Sequence, residues 1–194
     1  MYISLSHFYS ALTFLVVLVF SSNINGQKTK KRNETTSQVQ YPVPAESNVR
    51  LFYLQRSTNI NTVIYDANLT SNRKLDLKNP TNTYWVLFTE NGIKKELTNI
   101  QRTLAYGLKT SVLKSDPNAV EGHFLAYKER TFTIKLDAKG TPIALFPING
   151  KKQILKRIFV KIDDSGMMPK VLYVELWGKD VVSGKDVYEK FKPS

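Results

Sequence analysis

Cysteine is absent from all 194 residues, and histidine occurs only twice, as His7 and His123. Without cysteine there are no disulfides, no thiol nucleophile and no zinc site built on thiolates. A Ser-His-Asp constellation could draw only on His123 once the leader described below is removed, and no G-x-S-x-G elbow is present to carry its serine. His123 lies in GHFLAY, among strand formers, and reads as structural. The P-loop and G-x-G-x-x-G patterns are also missing, which removes the common phosphate-cradling loops. These absences point away from metal, cofactor and nucleophilic chemistry.

Charge is missing from residues 1–26, which hold no Lys, Arg, Asp or Glu. Within them FYSALTFLVVLVF (8–20) is mostly apolar. As a helix it would be roughly 20 Å long, short of the ~30 Å hydrocarbon core. The small and polar residues SSNING follow. This layout predicts a secretory signal peptide over residues 1–26 and export to the periplasm or cell surface. The n-region has no basic residue, however, and KTKKR stands just beyond the apolar run. By the positive-inside rule that order favours the alternative, an N-terminal membrane anchor.

What the chain has in excess is positive charge, 28 Lys and Arg against 16 Asp and Glu, a net +12. Such a balance bears on solubility and on partners with negative surfaces, not on fold. Many of these lysines are expected simply to solubilise strands and guard sheet edges. With export, no nucleic acid is expected as a partner, and anionic lipid head groups or acidic glycans are better placed. Residues 27–47 (QKTKKRNETTSQVQYPVPAES) have few apolar positions and read as a disordered linker. Residues 48–194 then form a single domain, long enough to bury about two-thirds of the unfolded surface without disulfides.

Strand patterns fill that domain. Segments 49–55 and 62–68 are separated by a polar turn flanked by Arg56, Asn59 and Asn61, where Asn and Ser are expected to form Asx-type turns, with a loop-mounted site as the alternative. TYWVLF (83–88) is apolar on both faces and reads as an interior strand. Asn91-Gly92 predicts a type I′ hairpin that sets Val86 opposite Leu97 and Trp85 opposite Thr98. A meander follows through 131–136, 142–148, 153–162, 171–178 and 187–191. Pro147 implies a local edge or bulge, and Asn149-Gly150 a second hairpin. The adjacent acids Asp163-Asp164 sit in DDSG and read as a turn. The fold class is mainly β, an antiparallel sandwich or barrel with one short amphipathic helix at about residues 99–106.

Three stretches, QRSTNINTVIYDAN (55–68), NPTNTYWV (79–86) and NIQRTLAYGL (99–108), resemble an exported bacterial family, domain of unknown function 4833, found mainly in Bacteroidetes. The resemblance spans about residues 50–194. It implies export and a single domain, and it brings no activity.

The helix is capped by Thr98-Asn-Ile-Gln101, a capping box, and Gly107 stands where a left-handed residue would end it. Ile100, Leu104 and Leu108 share one face at helical spacing, while Arg102 and Tyr106 lie opposite, placed to stack on each other. An apolar stripe on two turns needs a partner. Near the C-terminus, Ile158, Val160, Ile162, Leu172, Val174 and Leu176 form one aliphatic phase, the expected core. The other phase carries Leu155, Arg157, Phe159, Lys161, Tyr173, Glu175 and Trp177, and is expected to be covered in part by the helix stripe. The functional expectation is a non-enzymatic binding or structural module, without metal or cofactor. Its ligand, an anionic glycan or lipid head group, would lie against Arg157, Phe159, Lys161, Tyr173 and Trp177, with Arg102 and Tyr106 nearby. Two alternatives stand beside it: a β-barrel carrier of a small apolar ligand and a carboxylate-based hydrolase.

Overall fold

The structure is a computed structural model that describes residues 40–167 and 169–193. The expected signal peptide over 1–26 and the first part of the linker lie outside the described residues. Eleven strands form one curled mixed sheet: β1 (Arg50–Arg56), β2 (Asn59–Ala67), β3 (Thr81–Leu87), β4 (Ile93–Glu96), β5 (Leu108–Leu113), β6 (Asp116–Phe124), β7 (Tyr127–Leu136), β8 (Pro142–Ile148), β9 (Lys151–Asp163), β10 (Lys170–Lys179) and β11 (Asp186–Phe191). No helix among the described residues is long and apolar enough to cross a membrane.

The long strand β9 is the trunk. Its first half pairs with β8 across the Asn149-Gly150 hairpin, both of whose residues have positive φ (51° and 73°), as a type I′ turn requires. Its second half, on that same edge, pairs with β1, Arg157 opposite Tyr53 and Val160 opposite Arg56. The opposite edge carries β10, which in turn carries β11. Two antiparallel meanders, β1–β4 and β5–β8, therefore hang from one strand. Every pairing is antiparallel except β1 with β9. The sheet curls into a half-barrel that folds the two meanders against each other. Phe52 stacks on Tyr65 at 4.4 Å, and Phe124 meets both edge-on at 6.0 and 5.8 Å. The Tyr65 hydroxyl donates to the Tyr106 carbonyl at 2.9 Å, so the one polar atom on this buried ring is satisfied.

Several expectations are corrected. The first hairpin is not a two-residue loop: Phe88–Glu90 form a 3₁₀ turn before Asn91 and Gly92, and the Gly92 N–H donates to the Leu87 carbonyl. Val86 consequently faces Lys94 and Trp85 faces Lys95 rather than Leu97 and Thr98. Strands β5 and β6 are absent from the sequence expectation, because Asp116-Pro117-Asn118 reads as a turn and Gly122 leaves a gap in the apolar phase of Val120 and Phe124.

The helix is where it was expected, and its capping box forms: the Gln101 N–H donates to Thr98 Oγ1, and the Thr98 N–H to Gln101 Oε1. It is, however, a π-turn over Gln101–Ala105, the Tyr106 N–H donating to the Gln101 carbonyl five residues back. The wider turn changes the angular phase on which the stripe argument rested. Ile100 and Leu104 are 51% and 45% exposed, while Tyr106 turns inward and is buried. The stripe thus does not cover the aromatic strand face, and Arg102 pairs with Glu96 instead of stacking on Tyr106. Leu104→Asp should change stability by no more than about 0.5 kcal/mol in urea denaturation, as at other exposed positions. Gly107 is not left-handed. A Cβ there would stand 1.6 Å from the Arg102 carbonyl oxygen, so close backbone approach, not positive φ, calls for glycine.

The expected linker ends in a docked strap. The Tyr41 hydroxyl donates to the Ser57 carbonyl at 3.1 Å, the Gln55 amide donates to the Pro42 carbonyl at 2.7 Å, and the Tyr41 ring meets Phe159 edge-on at 5.0 Å.

Candidate functional site

The inner phase of the sheet does not close into a solid core at its C-terminal end. Register stacks its side chains in layers. Leu54, Ile158 and Leu176 lie at one level, because Leu54 and Leu176 both face Ile158. One layer up stand Arg56, Val160 and Val174, and above them Ile162 and Val171. Between these walls and Phe124, Phe146 and Phe191 lies an open pocket with an empty volume of about 890 Å³, mouth included. The aliphatic residues read as the main core are in large part its wall. Leu172 is the exception. A bulge between Val171 and Tyr173 breaks the alternation, so Val171 lines the pocket and Leu172 is 42% exposed.

Arg56 is the feature out of keeping with this wall. It occupies the same strand phase as Phe52 and Leu54, so its side chain points inward. Its guanidinium lies 5.3 Å from the Trp85 ring centroid and 6.0 Å from that of Tyr106. The Tyr106 hydroxyl is within its hydrogen-bonding reach; burial raises the pKa of that phenol, and Arg56 only partly offsets the rise. Arg56 Nε is buried with no hydrogen-bond partner, and no carboxylate among the described residues forms an ion pair with it. Trp85 is held in turn by the capping glutamine, its indole N–H donating to Gln101 Oε1 at 3.2 Å. The π-turn and its cap, through Ala105 and Tyr106, furnish part of the pocket wall.

The pocket residue Phe191 is backed by an ion pair. Arg130 makes a two-pronged ion pair with Glu189, at 2.7 and 3.0 Å, and its guanidinium lies 3.8 Å from the Phe191 ring centroid. The Asn149 N–H also donates to Glu189 Oε2. Burial alone would raise the Glu189 pKa, but these hydrogen bonds and the Arg130 charge hold it below the ordinary glutamate value. A depressed folded-state pKa contributes stability that is present above the unfolded value, about 4.3, and lost as pH falls through the folded value. Glu189→Gln should therefore be destabilising at pH 7. Its penalty should shrink as urea denaturation is repeated at pH values below about 4.

The expected aromatic face exists on the outside of β9 and β10. Arg157 lies 4.4 Å from the Trp177 ring centroid and 5.8 Å from that of Phe159. Lys161 faces Tyr173 across the strand pair, and Lys190 sits 3.6 Å over the Tyr173 ring. The structure brings Arg157, Phe159 and Trp177 together, but the strap residue Tyr41 lies on Phe159, which is only 7% exposed. Arg102 is remote from this group, paired with Glu96, and Tyr106 belongs to the inner pocket. Asp163 accepts from the Ser165 N–H and hydroxyl, as a turn residue does, and Asn59 accepts from the Asn61 N–H in an Asx turn. Asn61 adds a long-range role, its amide oxygen accepting from the Thr89 N–H and hydroxyl. No group of acids and histidines suited to holding a metal occurs among the described residues.

The pocket arginine had one signal in the sequence: in Phe52-x-Leu54-x-Arg56 a cation continues the apolar phase of a strand. The other pocket residues carried none, since aliphatic wall and aliphatic core look alike in alternation. A family model described as a domain of unknown function (DUF4833) matches residues 52–190. Neither a curated protein nor a solved structure matches the chain.

Proposed function

The chain belongs to the family described as domain of unknown function DUF4833, and from the geometry of this member we propose a non-enzymatic binding protein for a small, largely apolar molecule. The observation that carries the reading is the half-barrel pocket, whose walls are aliphatic and aromatic on nearly every side. Concave, apolar sites with a few polar groups are where proteins hold small ligands. No Asp or Glu stands among the residues lining it, which speaks against a paired-carboxylate hydrolase acting there. The outer face of Arg157 and Trp177 supports a glycan or head-group site less well, because the strap occupies part of it. The uncharged first 26 residues add export to the proposal, so the ligand would be met outside the cytoplasm.

A neutral fluorescent apolar probe such as N-phenyl-1-naphthylamine tests the pocket. It should bind at one site per chain with enhanced emission. Val174→Trp, which fills the middle layer, should weaken binding by about tenfold or more, a loss of about 1.4 kcal/mol or more. No emission change with the native protein, or equal binding by a folded Val174→Trp variant, would overturn the reading.

A further inference from the structure

We propose that the pocket takes a single-chain amphiphile with a compact oxyanion head, and that Arg56 is the residue that binds that head. This inference rests on the binding reading above and adds the ligand's chemical class.

A guanidinium is demanding to bury. It has five N–H donors and no acceptor, and it stays charged throughout the physiological range. Placing one on the apolar phase of an inner strand costs stability unless its donors are satisfied. Here the ring faces of Trp85 and Tyr106 meet part of that requirement. The buried Nε remains unpartnered, and no acid among the described residues neutralises the charge. Nε and a terminal N–H point the same way along one edge of the guanidinium, the geometry that grips two oxygens of a carboxylate or phosphate.

Position supplies the rest. Arg56 shares its layer with Val160 and Val174, one layer above Leu54, Ile158 and Leu176 and one below Ile162 and Val171. Three layers at ~3.3 Å per residue span about 13 Å along the strands. A head held at Arg56 therefore leaves apolar wall for a hydrocarbon tail beside and beneath it. Lys170 at the rim adds a second cation on the path an anion would take into the pocket. A neutral oxygen could accept from Nε but would leave the guanidinium charge uncompensated, and a cationic ligand would be repelled. Charge and apolar wall together select an anionic amphiphile.

Isothermal titration of the native protein compares three ligands with the same tail: decanoate, decyl phosphate and decanol. At least one of the two anions should bind about tenfold or more tightly than decanol, the advantage expected of a charge-assisted hydrogen bond. Which anion prevails separates a free fatty carboxylate from a phosphate-headed lipid as the source. Arg56→Gln should remove that preference while decanol binding persists, and Arg56→Lys should restore part of it. Equal binding of all three ligands by the native protein would overturn the oxyanion assignment and leave the apolar pocket standing. Failure of all three, decanol included, would overturn both. The comparison among ligands uses unaltered protein, so it holds even where a variant does not fold.

Discussion

Gly107→Ala is expected to cost about 3 kcal/mol or more, although it adds a single methyl group. The added carbon would lie 1.6 Å from the Arg102 carbonyl oxygen and 2.9 Å from Leu125 Cδ1. The first of these atoms is backbone, so no rotamer change can relieve the overlap. Either the π-turn must reopen or β5 must shift away from it, and the Leu125 N–H that donates to the Gly107 carbonyl would be disturbed as well. The melting temperature should fall by about 10 °C. The pocket should suffer too, because the same turn carries Ala105 and Tyr106. A fall of less than about 3 °C would mean that the turn yields easily and does not fix the pocket wall.

Phe52→Ala should have a larger effect, about 3–5 kcal/mol, as for other buried phenylalanines. Phe52 is fully buried, stacks on Tyr65 within its own meander and meets Phe124 of the other. Its loss would open a void where the two meanders meet. Denaturation of Phe52→Ala, Phe124→Ala and the double variant should give a non-additive cycle, since the rings touch. Additive costs, or a Phe52→Ala cost below 1 kcal/mol, would contradict the packing of one meander on the other.

Particular residues show why some of this architecture could be read from the chain and some could not. Local chemistry was legible: the Asn149-Gly150 hairpin, the Asp163 turn and the Thr98–Gln101 capping box each depend on residues a few positions apart. The mainly β class followed from alternation. The register of the first hairpin was not legible, because nothing in Phe88-Thr89-Glu90 announces the 3₁₀ turn that displaces it. Nor was the inward turn of Tyr106, since a π-turn changes the periodicity on which face assignments depend. The outer cluster of Arg157, Phe159 and Trp177 came from simple alternation along β9 and β10 and does assemble. The pocket needed knowledge of which strands oppose one another, and that is a property of the closed sheet. Arg56 could have been suspected from its phase alone.

The parallel contact of β1 with β9 has a consequence for how the chain must fold. Its partners are about a hundred residues apart: the Ser57 hydroxyl, beside β1, donates to the Ile162 carbonyl and accepts from the Ile162 N–H, 105 positions away. The β1–β4 meander can form early from neighbouring residues, yet its first strand has no partner on one side until β9 exists. During synthesis that edge stays open while most of the chain emerges, and closing so long a loop makes the step slow. The pocket is formed only at this step, because Leu54 and Arg56 come from one end of the loop and Ile158 and Val160 from the other. The complete pocket therefore belongs to the finished chain, and a nascent or truncated one lacking β9 has an open strand edge in its place, the feature through which partly folded β proteins associate.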